Sequence, residues 1–255
     1  MSAQENRGPL LTPSTSQVSV IIPVYNGARY LGAALASVMA QQALPLEVIV
    51  IDDGSTDETS AVVAEWQQSA ALPIHYGYQA NAGPAAARNR GVALAQGDLL
   101  AFLDTDDWWH PAKLQRQVSR LAEEPSLGYV LCHMQMVQET DVAWPVALNQ
   151  AHYQNEPPCF LPSALLVRRT VLAQVGPFDE RYRYSDDADW FLRAKDAGIP
   201  QVVVPAPLVY KRIHAHNLSH NPAMTQETLR AFHASVQRQR GRANAKPRGV
   251  TEVGR

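Results

Sequence analysis

The chain predicts an α/β fold built on a doubly wound, mostly parallel sheet, and three observations between residues 18 and 107 carry that prediction. Strand-length apolar runs alternate with helix-spaced segments in the order βαβαβαβ. The runs beginning at Val18, Leu46 and Leu99 are nearly unbroken, as in strands buried on both faces. Two of them finish in carboxylates: Asp52 and Asp53 after one, Asp104, Asp106 and Asp107 after another. Ligands of open α/β sheets bind at the carboxyl ends of strands, so both acidic groups fall on the binding rim.

The first strand, Val18 to Gly27, closes with Pro, Asn and Gly, and Pro23 removes a ladder donor near its end. Tyr30 to Gln42 places Leu31, Leu35, Val38 and Met39 at helical spacing, and Pro45 closes that helix. Leu46 to Ser55 is the second strand. Ser55 or Thr56 caps the next helix, with Glu58 in its first turn, and the helix runs to about Gln68. Ile74 to Tyr76 is a short third strand. Gln79 to Pro84 is a turn, and Ala85 to Ala95 an Ala-rich helix that carries Arg88. Gly97-Asp98 launches the strand at Leu99.

Beyond Trp109, a helix is expected from about Pro111 to Glu123, with Leu114, Val118 and Leu121 on one face. Gly128 to Met134 reads as a strand, and so does Cys159 to Val167. A helix starts at Arg168-Arg169 and ends near Gly176; another starts near Asp187. Val202 to Val204 and Leu208 to Tyr210 are strand-like. The organisation expected is a polar leader at 1–16, one domain over 17–220 divided near residue 110, and a short helix with a basic, disordered tail over 221–255.

The 255 residues are 46% hydrophobic and 18% charged, ordinary for a globular protein. A net charge of -2 gives no general attraction to nucleic acid or anionic lipid, so at most peripheral membrane contact is expected. Cys132 and Cys159 lack C-x-x-C spacing, which argues against a zinc site or a disulfide framework. Free thiols suit a cytoplasmic protein. No apolar run is long enough to span a bilayer, and Met1 to Gln17 lacks the apolar core of a signal peptide. Neither G-x-G-x-x-G nor a P-loop is present, which excludes an ordinary dehydrogenase or NTPase.

Asp104, Asp106 and Asp107 repel one another, and burial would raise their pKa values unless a cation neutralised them. Hard oxygen ligands suit Mg²⁺ or Mn²⁺. Asp107 has a competing role as N-cap of a helix starting near Trp108 or Pro111.

Four motifs in order, VSVIIPVYN at 18–26, VIDDGSTD at 50–57, AARNRG at 86–91 and FLDTDD at 102–107, resemble the family 2 glycosyltransferases. The resemblance covers about residues 17–220. It implies the GT-A fold, a Rossmann-like sheet flanked by helices with a smaller acceptor-side C-terminal part, and a nucleotide-sugar donor, most often a UDP-sugar. It also implies roles. Pro23 and Tyr25 line the nucleoside pocket, with Tyr25 stacked on or flanking the base. Asp53 accepts a hydrogen bond from the base, with Asp52 beside it. Arg88 lies near the base or the diphosphate. Asp104 and Asp106 match the family's D-x-D, which holds the ribose and the metal-diphosphate, and Asp107 shares the metal.

GPFDE at 176–180 and YSDDADWFLR at 184–193 resemble two further family segments, with Asp186 standing where Glu is usual. The second acid of that motif is the family's catalytic base and maps onto Asp187, at a helix start where the dipole favours an anion. Asp186 or Ser185 could cap that helix instead. KRIHAHNLS at 211–219 resembles the family's closing R-x-H-x-x-N-x-S. There Arg212 or Lys211 would neutralise the diphosphate and His214 would bind the metal or the diphosphate, with His216 a competing choice. The polar stretch Glu139 to Pro158 would meet the acceptor.

The function implied is metal-assisted, inverting sugar transfer to a glycan, lipid-linked or small-molecule acceptor in cell-envelope or polysaccharide synthesis, using Mn²⁺ or Mg²⁺ and no nucleic acid. The expected location is the cytoplasm or the inner face of the membrane. The alternatives are a non-catalytic sugar-nucleotide or glycan-binding protein, or a nucleotidyltransferase, although the loop after the first strand fits the latter poorly.

Overall fold

A computed structural model describes residues 17–140, 142–144, 150–215, 217 and 223–245. Strands β1 (Val18–Val24), β2 (Glu47–Asp52), β3 (Ile74–Tyr78) and β4 (Leu99–Phe102) lie in the order β3-β2-β1-β4, all parallel. Every residue of β2 and β4 is buried, which explains why these strands read as unbroken apolar runs. Helices α1 (Ala28–Met39), α2 (Thr59–Ser69) and α3 (Pro84–Leu94) make the crossovers. The first two steps move one way across the sheet and the third steps back. Right-handed connections therefore put α1 and α2 on one face and α3 on the other.

Past β4 the sheet becomes mixed. The two-residue β5 (Trp108–Trp109) and helix α4 (Lys113–Glu123) lead into β6 (Tyr129–Gln138). The short α5 (Gln150–Gln154), β7 (Pro158–Cys159), β8 (Leu166–Arg168), α6 (Arg169–Val175), α7 (Asp186–Asp196), β9 (Gln201–Ile213) and α8 (Ala223–Ala245) follow. β8 pairs antiparallel with both β4 and β6, and β6 pairs parallel with β9. The carboxyl ends of β1, β2, β4, β6 and β9 therefore share one rim.

Several expectations are corrected. The segments at 202–204 and 208–210 are one strand, β9. Pro205 and Pro207 sit where its register with β6 shifts around His133, the kind of irregularity that accommodates proline in a strand. The run from Cys159 to Val167 is cut in two by a 3₁₀ turn at Pro162–Ala164. Neither Ser55 nor Thr56 caps α2. Ser55 Oγ accepts the Asn26 amide at 2.8 Å and the Thr56 amide donates to Asn26 Oδ1 at 2.8 Å. Asp57 takes the amides of Thr59 and Ala28, both at 3.1 Å, and so serves the starts of α2 and α1 together. Asp107 is not an N-cap: Trp108 and Trp109 pair with β9, and α4 begins only at Lys113. The short helix expected after residue 220 runs for 23 residues as α8. Residues 1–16 and 246–255, with the expected leader and the end of the tail, lie outside the described residues, as does His216.

Phe178 meets Phe102 edge to face and Trp190 at a tilt, with ring centroids 5.3 and 6.0 Å apart, and the three rings dock α7 on the sheet. Cys132 and Cys159 face each other across β6 and β7 as free, buried thiols. Among the described residues, no helix is long and apolar enough to cross a membrane.

Candidate functional site

β1 ends at Val24, and the chain turns through Tyr25 and Asn26, the latter at a φ of 48°. Tyr25 is 54% exposed, so its ring stands on the rim uncovered. Behind it the Pro23 carbonyl accepts the Thr105 hydroxyl at 2.6 Å, locking the β1 turn to the segment after β4. Gly27 lies in that contact: a Cβ there would meet Val24 Cγ2 at 2.5 Å and Thr105 Cγ2 at 2.7 Å.

Asp52 and Asp53 are buried and bonded to the protein. Asp52 accepts the Ser55 amide and the Tyr76 hydroxyl, both at 2.7 Å. Asp53 accepts Gln79 Nε2 and the amides of Ala82 and Gly83, all at 2.8 Å. The second carboxylate thereby organises the turn into α3, where Gly83 has a φ of 96°.

α3 presents Arg88 inward. Its guanidinium donates to Asp186 Oδ2 at 2.6 Å and to Asp104 Oδ1 at 2.8 Å, while Nε is buried without a partner. Burial alone would lower the pKa of Arg88, but the charges of Asp186 and Asp104 outweigh it and raise it. Asp187, the next residue on α7, makes one hydrogen bond, accepting its neighbour Ala188 amide at 2.7 Å. Burial, reinforced by the Asp186 charge and opposed by Arg88, pushes the Asp187 carboxyl up to about 7.

The other two carboxylates of the cluster diverge. Asp106 Oδ2 meets His214 Nε2 at 2.9 Å and accepts Asn217 Nδ2 at 3.1 Å, and the side chain is 25% exposed. Burial would raise its pKa, but the His214 hydrogen bond and the Lys211 charge overcome that and lower it. Asp107 is sealed inside: it accepts the Ser163 hydroxyl at 2.9 Å and the Arg212 amide at 3.2 Å, with Lys211 Nζ 3.7 Å away. Burial lifts its carboxyl to about 7 despite Lys211. The guanidinium of Arg212 lies over Trp108 at 4.6 Å and Tyr30 at 5.0 Å, and its Nε donates to the Asp106 carbonyl at 3.1 Å.

The structure therefore brings Arg88, Asp104, Asp186 and Asp187 together, and separately Asp106 with His214. It does not converge Asp104, Asp106 and Asp107 on one point. Among the described residues no three His, Cys, Asp or Glu side chains are grouped to hold a metal ion alone. Two contributors were missed in the sequence. Ser163 donates to Asp107 and accepts the Asp104 amide at 3.1 Å, and its carbonyl accepts Trp109 Nε1 at 2.8 Å. Its only signal was a serine inside an apolar run. Asn217 lay in a quoted motif, but nothing there indicated its bond to Asp106.

A family model described as Glycosyl transferase family 2 matches residues 19–176 and stops ahead of α7. An uncharacterised glycosyltransferase of Nostoc sp. is 36% identical over 214 residues, 79% of this chain and 66% of that protein. Staphylococcus aureus TarS, solved in complex with UDP-GlcNAc, superposes with a TM-score of 0.71 at 22% identity, over 87% of this chain and 66% of its own. The mannosyltransferase PcManGT of Pyrobaculum calidifontis, solved with GDP-Man and Mn²⁺, gives 0.70 at 22% identity, over 87% and 64%. At that identity the likeness to the two structures is one of fold. The chain spans about two thirds of the length of these relatives.

Proposed function

The chain belongs to glycosyl transferase family 2, and on that premise we propose that it moves a sugar from a nucleoside diphosphate sugar to an acceptor hydroxyl with inversion. The observation that carries this reading is Asp187. It is a carboxylate in the first turn of a helix, bonded to the amide of the next residue, Ala188, with its pKa pushed up to about 7. Such a group is half deprotonated near neutrality and suits a general base. Asp187 takes the acceptor proton as the hydroxyl oxygen bonds to the anomeric carbon. The bond from that carbon to the diphosphate oxygen breaks on the opposite side, and the leaving oxygen keeps the electron pair. A single displacement of this kind inverts the anomeric centre.

Tyr25, exposed beside Pro23, offers a face for the base. Asp53, with Asp52 behind it, offers an acceptor for an imide N–H; uracil carries that donor, and so does thymine. Asp104 would meet the ribose. Arg88 acts through Asp104 and Asp186, since both of its terminal nitrogens are engaged there.

Asp106 and His214 fit a divalent cation: a partly exposed carboxylate backed by an imidazole is a hard oxygen and nitrogen donor set. A cation held there would take its remaining ligands from phosphate and water, and when bound it would stabilise charge on the departing diphosphate. Asp107 is too enclosed to reach a ligand and instead fixes Lys211 and the Arg212 backbone beneath the site. Arg212 steadies the Asp106 carbonyl from its place between two rings.

Calorimetry with UDP, dTDP, GDP and CDP, each with Mn²⁺, tests the donor class. UDP is expected to bind tightest, and tighter binding of GDP would overturn that choice. Absence of both binding and turnover with UDP-sugars and Mn²⁺ would overturn the reaction itself.

A further inference from the structure

Ser185 occupies the N-cap position of α7 yet makes no capping bond. An N-cap hydroxyl normally accepts an amide from the first turn. Here Ser185 Oγ turns to α8, lying 2.8 Å from Thr228 Oγ1, and both hydroxyls reach the Met224 carbonyl, at 3.2 and 2.9 Å. The preceding amide, of Tyr184, donates to Glu227 Oε2 at 2.8 Å. The usual device that fixes a helix start has been handed to a neighbouring helix.

We infer that α8 braces the catalytic base, with Glu227 and Thr228 as positioning residues that fix the first turn of α7 and hence the direction of Asp187. The inference rests on the proposed role of Asp187. Neither α7 nor α8 lies within the family match at 19–176. The brace is separate from the bonds at the far end of α7, where Ser235 and Arg238 hold Asp196 at 2.9 and 2.7 Å. Asp187 faces Asp186 on its own helix, Arg88 from α3 and Asp104 after β4. Opposite these, α8 supplies Glu227, which holds the backbone, and Arg230, which lies over the Tyr182 ring. Loosening one tether lets the turn drift, and misplacement of a reacting group by roughly 1 Å costs about 10²-fold in rate.

The test compares Thr228→Val and Glu227→Ala with the conservative Thr228→Ser and Glu227→Gln, which keep the hydroxyl and the acceptor oxygen. Two readouts are taken: the titration of the Asp187 carboxyl by ¹³C NMR, its signal identified through Asp187→Asn, and UDP release from UDP-GlcNAc with Mn²⁺. In the first pair the midpoint is expected to fall by about one pH unit as water reaches the carboxyl. The rate is expected to drop about tenfold or more, while calorimetric affinity for UDP stays within about twofold of wild type. Thr228→Ser and Glu227→Gln restore both. Ser235→Ala, at the far end, lowers the melting temperature and leaves the midpoint in place. An unmoved midpoint in Thr228→Val and Glu227→Ala, or an equal shift in Ser235→Ala, overturns the brace. Wild-type turnover in Asp187→Asn overturns the base assignment instead, and the brace is then judged on the NMR midpoint alone.

Discussion

Arg88 donates to Asp186 at 2.6 Å although 98 residues separate them in the chain. The same guanidinium holds Asp104, so one buried cation ties α3, the segment after β4 and the first turn of α7. Replacing Arg88 with Met leaves two carboxylates without their counter-charge. Loss of one partner from a buried pair typically costs about 3–5 kcal/mol, and urea unfolding is expected to show a loss of that order. An unchanged urea midpoint would mean that solvent reaches both acids in the folded protein.

Asp187→Asn and Asp106→Asn should separate chemistry from donor binding. The first is expected to leave nucleotide affinity nearly intact and depress turnover by about 10²–10⁴-fold, the usual span for a lost general base. The second is expected to weaken nucleotide binding only when Mn²⁺ is present. Calorimetry with and without the metal, beside initial rates, reads both. Equal loss of binding in the two variants would show that Asp187 also holds the donor.

The pH dependence follows from the raised carboxyl at Asp187. Below about 7 it is protonated in the folded protein and cannot accept a proton. kcat/KM should therefore rise with pH through about 7 and level off above it. Stability runs the other way. A folded-state pKa above that of the unfolded chain, about 4, contributes stability that is complete below that value and lost as pH rises through about 7. Asp187→Asn lacks the charge, so it should melt close to wild type near about pH 4 and above it near about pH 8. Thermal scans at the two values check the sign.

Tyr25→Ala removes an exposed ring and little else. Base stacking on an aromatic side chain is worth about 1–3 kcal/mol, so UDP affinity measured with Mn²⁺ should fall by roughly 5- to 150-fold. An exposed substitution of this kind should change folding stability by no more than about 0.5 kcal/mol. Unchanged affinity would put the base elsewhere on the rim.

Legibility in the sequence followed locality. β1, β2 and β4 could be read because burial on both faces leaves an apolar run, and the rim carboxylates because they end such runs. The start of α1 was missed by two residues because its cap, Gly27, has no side chain to signal it, and Asp57 supplies the bond from far along the chain. β9 reads as two segments in the sequence because Pro205 and Pro207 interrupt it, and only its pairing with β6 shows that a register shift absorbs them. The spacing of the acidic cluster put Asp104, Asp106 and Asp107 after β4 but carried no sign of their directions. Asp107 turns inward to Ser163, a partner 56 residues away that no spacing rule links to it. The length of α8 was hidden as well, because its packing on α7 orders a stretch whose composition reads as a basic tail.

β4 also bears on how the chain comes to be made. One of its two neighbours is β8, a strand of three residues, Leu166–Arg168, supplied long after β4 itself. During synthesis from the N-terminus the parallel block can assemble with β4 at its border, wholly apolar and with one row of amides and carbonyls unpaired. An open, hydrophobic border strand is a template for pairing with another molecule. In the folded protein β8 pairs that border, so a strand of only three residues, late in the chain, removes an apolar edge on which another strand could add.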